Sequence, residues 1–391
     1  MFLVKRSIYG LKNASYCWFK TLSAVMKELG YHPIDGSECL WMFNSGNKKA
    51  IFCVHVDDYV LAYTDAELNT KLVSKFTELW GVSGTGPLKT HLGMEIDFVK
   101  GKHAIITQKT YFEKVLRRFG FTTMKSVDTP MESTLKISLE DTTPDNVLDD
   151  NEKRQYMEII GSLLYGAVMS RPDIANAVAQ LGRVMSRPNK THLSAAKRVL
   201  RYIAGTLDRG LRYENKDWYA PGVADPLPPR AVVTYADSDW AGDVDTRKSM
   251  SGYLIFMAGG VISYRSKMQS IQALSSAEAE YVALSDAARD VIYVSNVLQE
   301  LGLIEKGGAL PLFSDSSAAL AMTQNKGINH RTKHIALRHH FIRDLVDKKV
   351  LTVHKIGTAA NPADLLTKAT DKTTFVRHAD TCTPRATDAH A

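Results

Sequence analysis

Four acidic residues in the C-terminal half of the sequence could together bind metal ions. Asp237 and Asp315 each end an apolar strand pattern, Glu280 lies in a long helical pattern, and Asp364 opens the last helical pattern. Strand ends and helix starts that meet at one edge of a mixed sheet commonly build binding sites. Clustered carboxylates repel one another unless cations neutralise them, and hard divalent cations prefer oxygen ligands. The spacing therefore predicts a site for Mg²⁺ or Mn²⁺.

Two of these acids also have a purely structural interpretation. Asp315 could cap the helix that follows it, and Asp364 could be a first-turn acid in a helix opened by Asn361. Asp239 shares the strand face of Asp237 and could replace it, but it lies one step further off the strand. Considered together with Glu280, the set Asp237, Asp315 and Asp364 favours a metal site.

Glu278 and Glu280 occupy one helical pattern but differ in their expected environment. Glu278 fits a capping box with Ser275, so its carboxylate is expected to accept a backbone N–H at the helix start. Glu280 instead lies on the stripe of apolar residues that faces the core. A carboxylate there is costly unless cations meet it, which makes Glu280 the functional candidate.

The elements expected to position these acids form a distinct pattern after residue 230. The hydrophobic periodicity predicts a strand, a hairpin, a long helix, a strand, a helix and a strand, at residues 231–236, 253–257 with 261–265, 275–301, 310–314, 336–348 and 350–356. This order is typical of a mixed five-stranded sheet with helices packed on it. The fold class is therefore α/β and α+β in several domains.

The residues before this pattern contain short strands and basic helices. Strand patterns at 50–54 and 60–63 flank a turn with Asp57 and Asp58, and a basic amphipathic helix is expected at 109–119. Residues 214–230 contain four prolines and no periodicity, which indicates a domain boundary. We therefore predict domains at 1–136, 137–213 and 231–370, a linker at 214–230 and a disordered tail at 371–391.

Positive charge is concentrated in one helical segment. Residues 151–213 contain eleven Lys or Arg and four acids, a local net charge of +7, which equals that of the whole chain. A solvated helix face is the simple interpretation, but an excess of this size favours a phosphate-binding surface. Four side chains of one helix are the candidates for nucleic-acid binding: Lys190, Lys197, Arg198 and Arg201.

Composition excludes several protein classes. The 391 residues are 45% apolar and 23% charged, close to the average of globular proteins, so wholesale disorder is excluded. No apolar run is long enough for a membrane span, and the four cysteines form no C-x-x-C pair. His330 and His334 are four residues apart, but no third ligand with suitable spacing supports zinc. We expect an intracellular protein with no membrane partner.

Residues 231–370 resemble the ribonuclease H domain of copia-type LTR retrotransposon polyproteins. The resemblance rests on stretches in the family's order and spacing, among them YADSDWAGDVDTRKSMSGYLIF, ALSSAEAEYVAL, FSDSSAALAM and NPADLLTKAT. It implies a ribonuclease H-like fold and a D-E-D-D metal set at Asp237, Glu280, Asp315 and Asp364. By the same resemblance, His334 and His340 would pack or contact substrate near this site.

Residues 1–213 resemble the later part of the reverse transcriptase from the same polyproteins. The matching stretches include IYGLKNASYCWFK and VHVDDYVLAY, so Asp57 and Asp58 would be a polymerase-site remnant. The family has Tyr or Phe where this chain has His55. Because the sequence begins with the IYGLK motif, we expect the third polymerase aspartate to be missing and predict no DNA synthesis by this chain alone.

The resemblance implies a specific reaction. We expect two Mg²⁺ or Mn²⁺ ions at the four acids and hydrolysis of the RNA strand in an RNA–DNA hybrid, with the duplex held by the basic segment 151–213. The alternatives are a catalytically inactive nucleic-acid-binding remnant of a transposable element and a decayed fragment that folds poorly. The resemblance also implies a location in a cytoplasmic particle or the nucleus. Assembly with other pieces of the polyprotein is left open.

Overall fold

The chain divides into two compact units. The computed structural model describes residues 10–324 and 336–386. One unit comprises Met1–Leu92 with Tyr293–Glu305, and the other comprises Gly93–Ile292 with Lys306–Ala391. The boundary after Leu92 replaces the one predicted after residue 136, because the helix predicted at 109–119 packs into the core of the second unit.

The first unit contains a four-stranded antiparallel sheet with helices against it. Strands β1 to β4 pair in chain order. Trp41 and Phe52 of the sheet are buried with Leu72 of a helix, which explains why this apolar alternation forms strands. The elements are α1 (Ala14–Glu28), β1 (His32–Ile34), β2 (Ser37–Ser45), β3 (Lys48–His55), β4 (Asp58–Tyr63), α2 (Ala66–Trp80) and β5 (Thr90–His91).

The second unit begins with three antiparallel strands and four helices. The strands lie in the order β6-β7-β8. Asp149 and Glu152 form a capping box at the start of α4, and Pro172 occupies the first turn of α5. The elements are β6 (Met94–Val99), β7 (His103–Thr107), α3 (Lys109–Phe119), α4 (Asp150–Met169), α5 (Pro172–Arg183), α6 (Lys190–Ala204) and β8 (Gly210–Glu214).

A mixed five-stranded sheet completes the second unit and confirms the predicted fold class. Its order is β11-β10-β9-β12-β13; β9, β10 and β11 are antiparallel, whereas β12 runs parallel to β9 and β13. Two 3₁₀ segments follow β13, at Thr358–Ala360 and Pro362–Leu366. The elements are β9 (Val232–Asp239), β10 (Met250–Met257), β11 (Gly260–Met268), α7 (Ser276–Glu300), β12 (Leu310–Ser314), α8 (Ser317–Gln324), α9 (Ala336–Asp347), β13 (Leu351–Lys355) and α10 (Lys372–Cys382). The residues of α7 from Tyr293 onward are assigned to the first unit.

The helices α3 to α6 and the five-stranded sheet share one hydrophobic core. The segment predicted as a linker, 214–230, belongs to the same unit and is ordered. Trp218 is buried against Phe256, and its backbone exchanges hydrogen bonds with Leu227 in both directions, at 2.9 and 2.7 Å. The prediction of a domain boundary here is wrong because proline-rich turns remain fixed when an aromatic side chain among them is buried.

The predicted disordered tail contains a packed helix. Helix α10 begins after Asp371, whose carboxylate accepts the backbone N–H groups of Thr373 and Thr374. Phe375 is buried against Tyr202 of α6. The prediction is therefore wrong for residues 372–382, because a few apolar side chains on one face are enough to dock this polar helix. None of the helices within residues 10–324 and 336–386 is long and apolar enough to cross a membrane.

Candidate metal centre

Three of the four predicted acids meet at one edge of the five-stranded sheet. Asp237 lies near the end of β9, Asp315 directly follows the parallel neighbour β12, and Glu280 lies on α7. Ligand oxygens of these three side chains all lie within 4.8 Å of one another. Asp237 and Glu280 are buried and Asp315 is partly exposed, so the group is accessible from one side.

The fourth acid, Asp364, lies outside this 4.8 Å group but is connected to it. It is buried within the 3₁₀ segment Pro362–Leu366. Thr367, which follows this segment, donates a short hydrogen bond to Oδ2 of Asp237. Lys368 Nζ lies 2.9 Å from Asp364 Oδ1. Asp364 thus lies beside the cluster, and Thr367 and Lys368, which follow it in the sequence, contact Asp237 and Asp364 respectively.

Two features bring the 3₁₀ segment against the sheet. Gly252 of β10 pairs with Asp237, and an added Cβ at Gly252 would lie 2.7 Å from Leu366 and 2.8 Å from Thr367. Only a residue without a side chain allows this approach. The side chain of Asn361 is fully buried and donates a hydrogen bond of 3.0 Å to the carbonyl of Ala236. Asp237 and the segment bearing Asp364 are therefore held together on both sides.

Burial and mutual repulsion raise the pKa values of two carboxyl groups. For Asp237, burial and the charge of Asp364 raise the pKa to about 7, although Lys368 and Thr367 oppose this shift. For Glu280, burial followed by the charges of Asp237 and Asp315 raises the pKa to about 9. Charged carboxylates are thus disfavoured in the protein without a cation, as expected for a metal centre.

The donor set fits a hard divalent cation. Glu280 Oε1 accepts the backbone N–H of Ser238 at 3.2 Å, whereas its Oε2 atom is buried without a hydrogen-bond partner among the described residues. A buried carboxylate oxygen without a partner is costly, and a bound cation would satisfy it. Oxygen ligands from Asp237 and Asp315 stand beside it. Mg²⁺ and Mn²⁺ accept such ligands.

The two alternative acids occupy other positions. Glu278 Oε2 accepts the backbone N–H of Leu274 at 2.8 Å, and the Glu278 N–H donates to Ser275 Oγ at 3.2 Å. Its predicted role at the helix start is confirmed. Asp239 is not a member of the 4.8 Å group. Burial raises its pKa, and Lys136 and Lys368 oppose this shift.

Sequence reasoning missed three residues of the site. Thr367 and Lys368 were not selected because the spacing of hydrophobic residues says nothing about them. Gly252 was not selected because its importance depends on contact with a segment more than 100 residues away. One signal was present in the sequence: Lys368 is four residues after Asp364, the spacing at which side chains on a helical turn meet.

The paired aspartates of the first unit lie on a hairpin turn, as predicted. Asp57 and Asp58 are both exposed between β3 and β4, and His55 pairs with Asp58. Val56 has a left-handed φ of 59°, and its carbonyl accepts a hydrogen bond of 2.6 Å from the indole of Trp18. The structure brings the three other acids together in the second unit, and Asp57 and Asp58 are not part of that cluster.

Much of the positive charge in residues 151–213 is paired within the protein. Five of its eleven basic residues form ion pairs, namely Arg171, Arg183, Arg198, Arg209 and Arg212. Among the four predicted nucleic-acid-binding residues, Lys190 is exposed and Lys197 is half-buried. Arg198 pairs with Glu132 at 2.9 Å, and Arg201 Nε donates to a backbone carbonyl. The positively charged surface is smaller than the sequence indicates.

The histidine positions give little support for a second metal site. His330 and His334 lie outside the described residues. His340 lies on α9, where its ring is 3.3 Å from Arg343 Nη2. Within residues 10–324 and 336–386, the carboxylate cluster is the group with the geometry of a metal site.

Comparison with known proteins identifies the family. A family model described as reverse transcriptase (RNA-dependent DNA polymerase) matches residues 1–133. The chain is 36% identical over 376 residues to the retrovirus-related Pol polyprotein from transposon TNT 1-94 of Nicotiana tabacum, covering 95% of this chain and 27% of that protein. The chain belongs to the copia-type retrotransposon Pol polyproteins. The Pol polyprotein from transposon RE1 of Arabidopsis thaliana is 32% identical over 373 residues, covering 95% of this chain and 24% of that protein.

The Pol chain spans about a quarter of the length of these curated relatives. It is also similar to a solved structure, LC11-RNase H1 in complex with an RNA/DNA hybrid, with a TM-score of 0.27 and 20% identity. That similarity covers 35% of this chain and 93% of the solved one.

Proposed function

We propose that this Pol chain contains a divalent-metal-dependent ribonuclease that cleaves the RNA strand of RNA–DNA hybrids. The observation that supports this proposal is the carboxylate cluster of Asp237, Glu280 and Asp315, whose ligand oxygens lie within 4.8 Å of one another. Asp237 and Asp315 lie near the ends of adjacent parallel strands, and Glu280 lies on α7. Carboxylate oxygens this close together can bind Mg²⁺ or Mn²⁺, the kind of cation that assists phosphodiester hydrolysis. The resemblance of residues 231–370 to the ribonuclease H domain of the Pol polyproteins supports RNA–DNA hybrids as the substrate class.

The protein's own residues would prepare the site before substrate arrives. Asp237, Glu280, Asp315 and Asp364 would hold two Mg²⁺ ions. When bound, such ions lower the pKa of water and stabilise negative charge on a leaving oxygen. The Ser238 N–H fixes one oxygen of Glu280. The Thr367 hydroxyl fixes one oxygen of Asp237, so Asp237 and Glu280 each keep the other oxygen for a cation.

Cleavage of a labelled RNA–DNA hybrid in Mg²⁺ tests the proposal. We expect RNA cleavage by the wild-type chain and background cleavage by Asp237→Asn, which keeps the shape but removes the charge. Asp239→Asn is the matched comparison on the same strand, and we expect it to retain most of the activity. Equal cleavage by wild type and Asp237→Asn would refute the enzyme proposal. Hybrid binding without cleavage by the wild type would instead indicate an inactive binding remnant.

Hybrid binding would depend on phosphate contacts from helix α6. If Lys190, Lys197, Arg198 and Arg201 all contact phosphates, log K should fall against log salt with a slope of about −3 to −4. Because Arg198 is already paired with Glu132, we expect Lys190→Ala to reduce the slope by about one unit and Arg198→Ala to reduce it less. Filter binding at several salt concentrations measures both slopes, and equal changes would contradict this assignment.

DNA synthesis is not part of the proposed activity. A polymerase site requires metal ligands beside the paired aspartates, and among the described residues Asp57 and Asp58 belong to no such group. We expect no primer extension by this chain on an RNA template. Extension that disappears in Asp58→Asn would overturn this expectation without affecting the ribonuclease proposal.

A further inference from the structure

A lysine side chain lies at the carboxylate site. Lys368 Nζ is 2.9 Å from Asp364 Oδ1, and the lysine side chain is 37% exposed. The preceding residue, Thr367, donates its hydroxyl hydrogen to Asp237. The backbone that anchors Asp237 therefore also directs the ammonium group of Lys368 toward the acids.

The ammonium group of Lys368 is attracted by more than one carboxylate. Burial disfavours its charged form, but the carboxylates of Asp237, Asp364 and Asp315 outweigh burial and raise the pKa of Lys368 above its ordinary value. The contact with Asp364 is direct, and the charges of Asp237 and Asp315 add to the attraction.

The ammonium group and a divalent cation would compete for the same oxygens. Both are attracted by the same carboxylates, and a positive charge beside a metal site weakens the binding of a second cation. A buried carboxylate cluster without any cation would destabilise the fold. Lys368 is therefore favourable to the metal-free protein and unfavourable to metal binding.

We propose that Lys368 is a resident cation of the carboxylate site, which stabilises the protein before divalent ions bind and lowers the affinity of the site for them. This proposal rests on the proposed metal-dependent function. It predicts that the strength of Mg²⁺ binding is determined by an exchange between the Lys368 ammonium group and the metal at the Asp364 end of the site.

Thermal unfolding of the full chain, with EDTA and over a Mg²⁺ titration, tests the exchange without measuring activity. Lys368→Gln can still donate a hydrogen bond but carries no charge, and Lys368→Met is a second neutral variant should the first fold poorly. Lys368→Arg keeps the charge. Lys372→Gln is the matched control, because Lys372 also pairs with an acid, Asp128, at 2.7 Å, but is 68% exposed.

The neutral Lys368 variants should have a lower Tm than wild type in EDTA. Half of the Mg²⁺-induced increase in Tm should occur at a Mg²⁺ concentration about tenfold lower than for wild type, because one opposing charge has been removed. Lys368→Arg and Lys372→Gln should behave like the wild type. Equal Mg²⁺ midpoints in wild type and both neutral variants would overturn the role of Lys368 while leaving the metal site intact. No Mg²⁺ response in any of the proteins would overturn the metal site, and with it both proposals.

Discussion

A buried ion pair in the helical part of the second unit tests whether a basic residue of segment 151–213 stabilises the fold. The guanidinium of Arg171 binds both carboxylate oxygens of Asp173, with Nε–Oδ1 at 2.8 Å and Nη2–Oδ2 at 2.7 Å. Arg171 also donates to the carbonyl and the hydroxyl of Thr206, and the hydroxyl of Tyr202 donates to Asp173. Both charged side chains are almost completely buried. Asp173→Asn would leave the guanidinium without its counter-charge.

We expect Asp173→Asn to lower the free energy of unfolding by about 3–5 kcal/mol, because removing one partner of a buried pair leaves an uncompensated charge. The matched comparison is Glu158→Gln. Glu158 pairs with Arg118 at 2.9 Å, but the two side chains are 40% and 58% exposed. An exposed pair contributes only about 0–1 kcal/mol. Urea denaturation of both variants, followed by circular dichroism, gives the two losses.

Acid should diminish the difference between wild type and Asp173→Asn. Burial disfavours the charged carboxylate, but Arg171 outweighs burial and holds the pKa of Asp173 below its ordinary value. Its contribution to stability is therefore present above the ordinary pKa of aspartic acid, about 4, and is lost as the pH falls below it. Equal, small losses for Asp173→Asn and Glu158→Gln at pH 7 would refute the conclusion that this charge is structural.

Three further changes address the site and the C-terminal helix. Phe375→Ala should cost about 3–5 kcal/mol in urea denaturation, because a buried ring is lost, whereas exposed Arg377→Ala should cost little. Gly252→Ala should lower both the Tm and the Mg²⁺-induced shift, because its Cβ would lie 2.7 Å from Leu366; unchanged values would contradict the close approach. The pKa of Glu280 is raised from about 4.5 to about 9, so the metal-free protein should lose stability as the pH rises through this range. Glu280→Gln should therefore flatten the dependence of Tm on pH measured in EDTA.

Local patterns in the sequence were sufficient to predict most of the carboxylate site. Apolar strand runs placed Asp237 and Asp315 at neighbouring strand ends, and the helical stripe around Glu280 indicated a buried acid. These predictions needed only periodicity and the rule that parallel strands end at the same edge of a sheet. The structure confirms the strands and the helix on which they depend.

Features that depend on distant partners could not be predicted from local patterns. The charge sum over residues 151–213 predicted an open basic surface, but Arg183 pairs with Asp243 and Arg209 pairs with Asp380. A sum of charges does not show which basic residues pair with acids that are distant in the sequence. The packed helix α10 was missed for the same reason, since the surface that buries Phe375 is provided by residues much earlier in the chain.

The buried amide of Asn361 has a consequence for the chemical lifetime of the site. An asparagine amide is lost when the backbone nitrogen of the next residue attacks the side chain, and a carboxylate remains. Here that next residue is Pro362, whose nitrogen carries no hydrogen and is closed to this reaction. The Asn361 side chain joins β9 to the segment bearing Asp364. Pro362 thus protects it from this deamidation, which would add a negative charge beside the four acids.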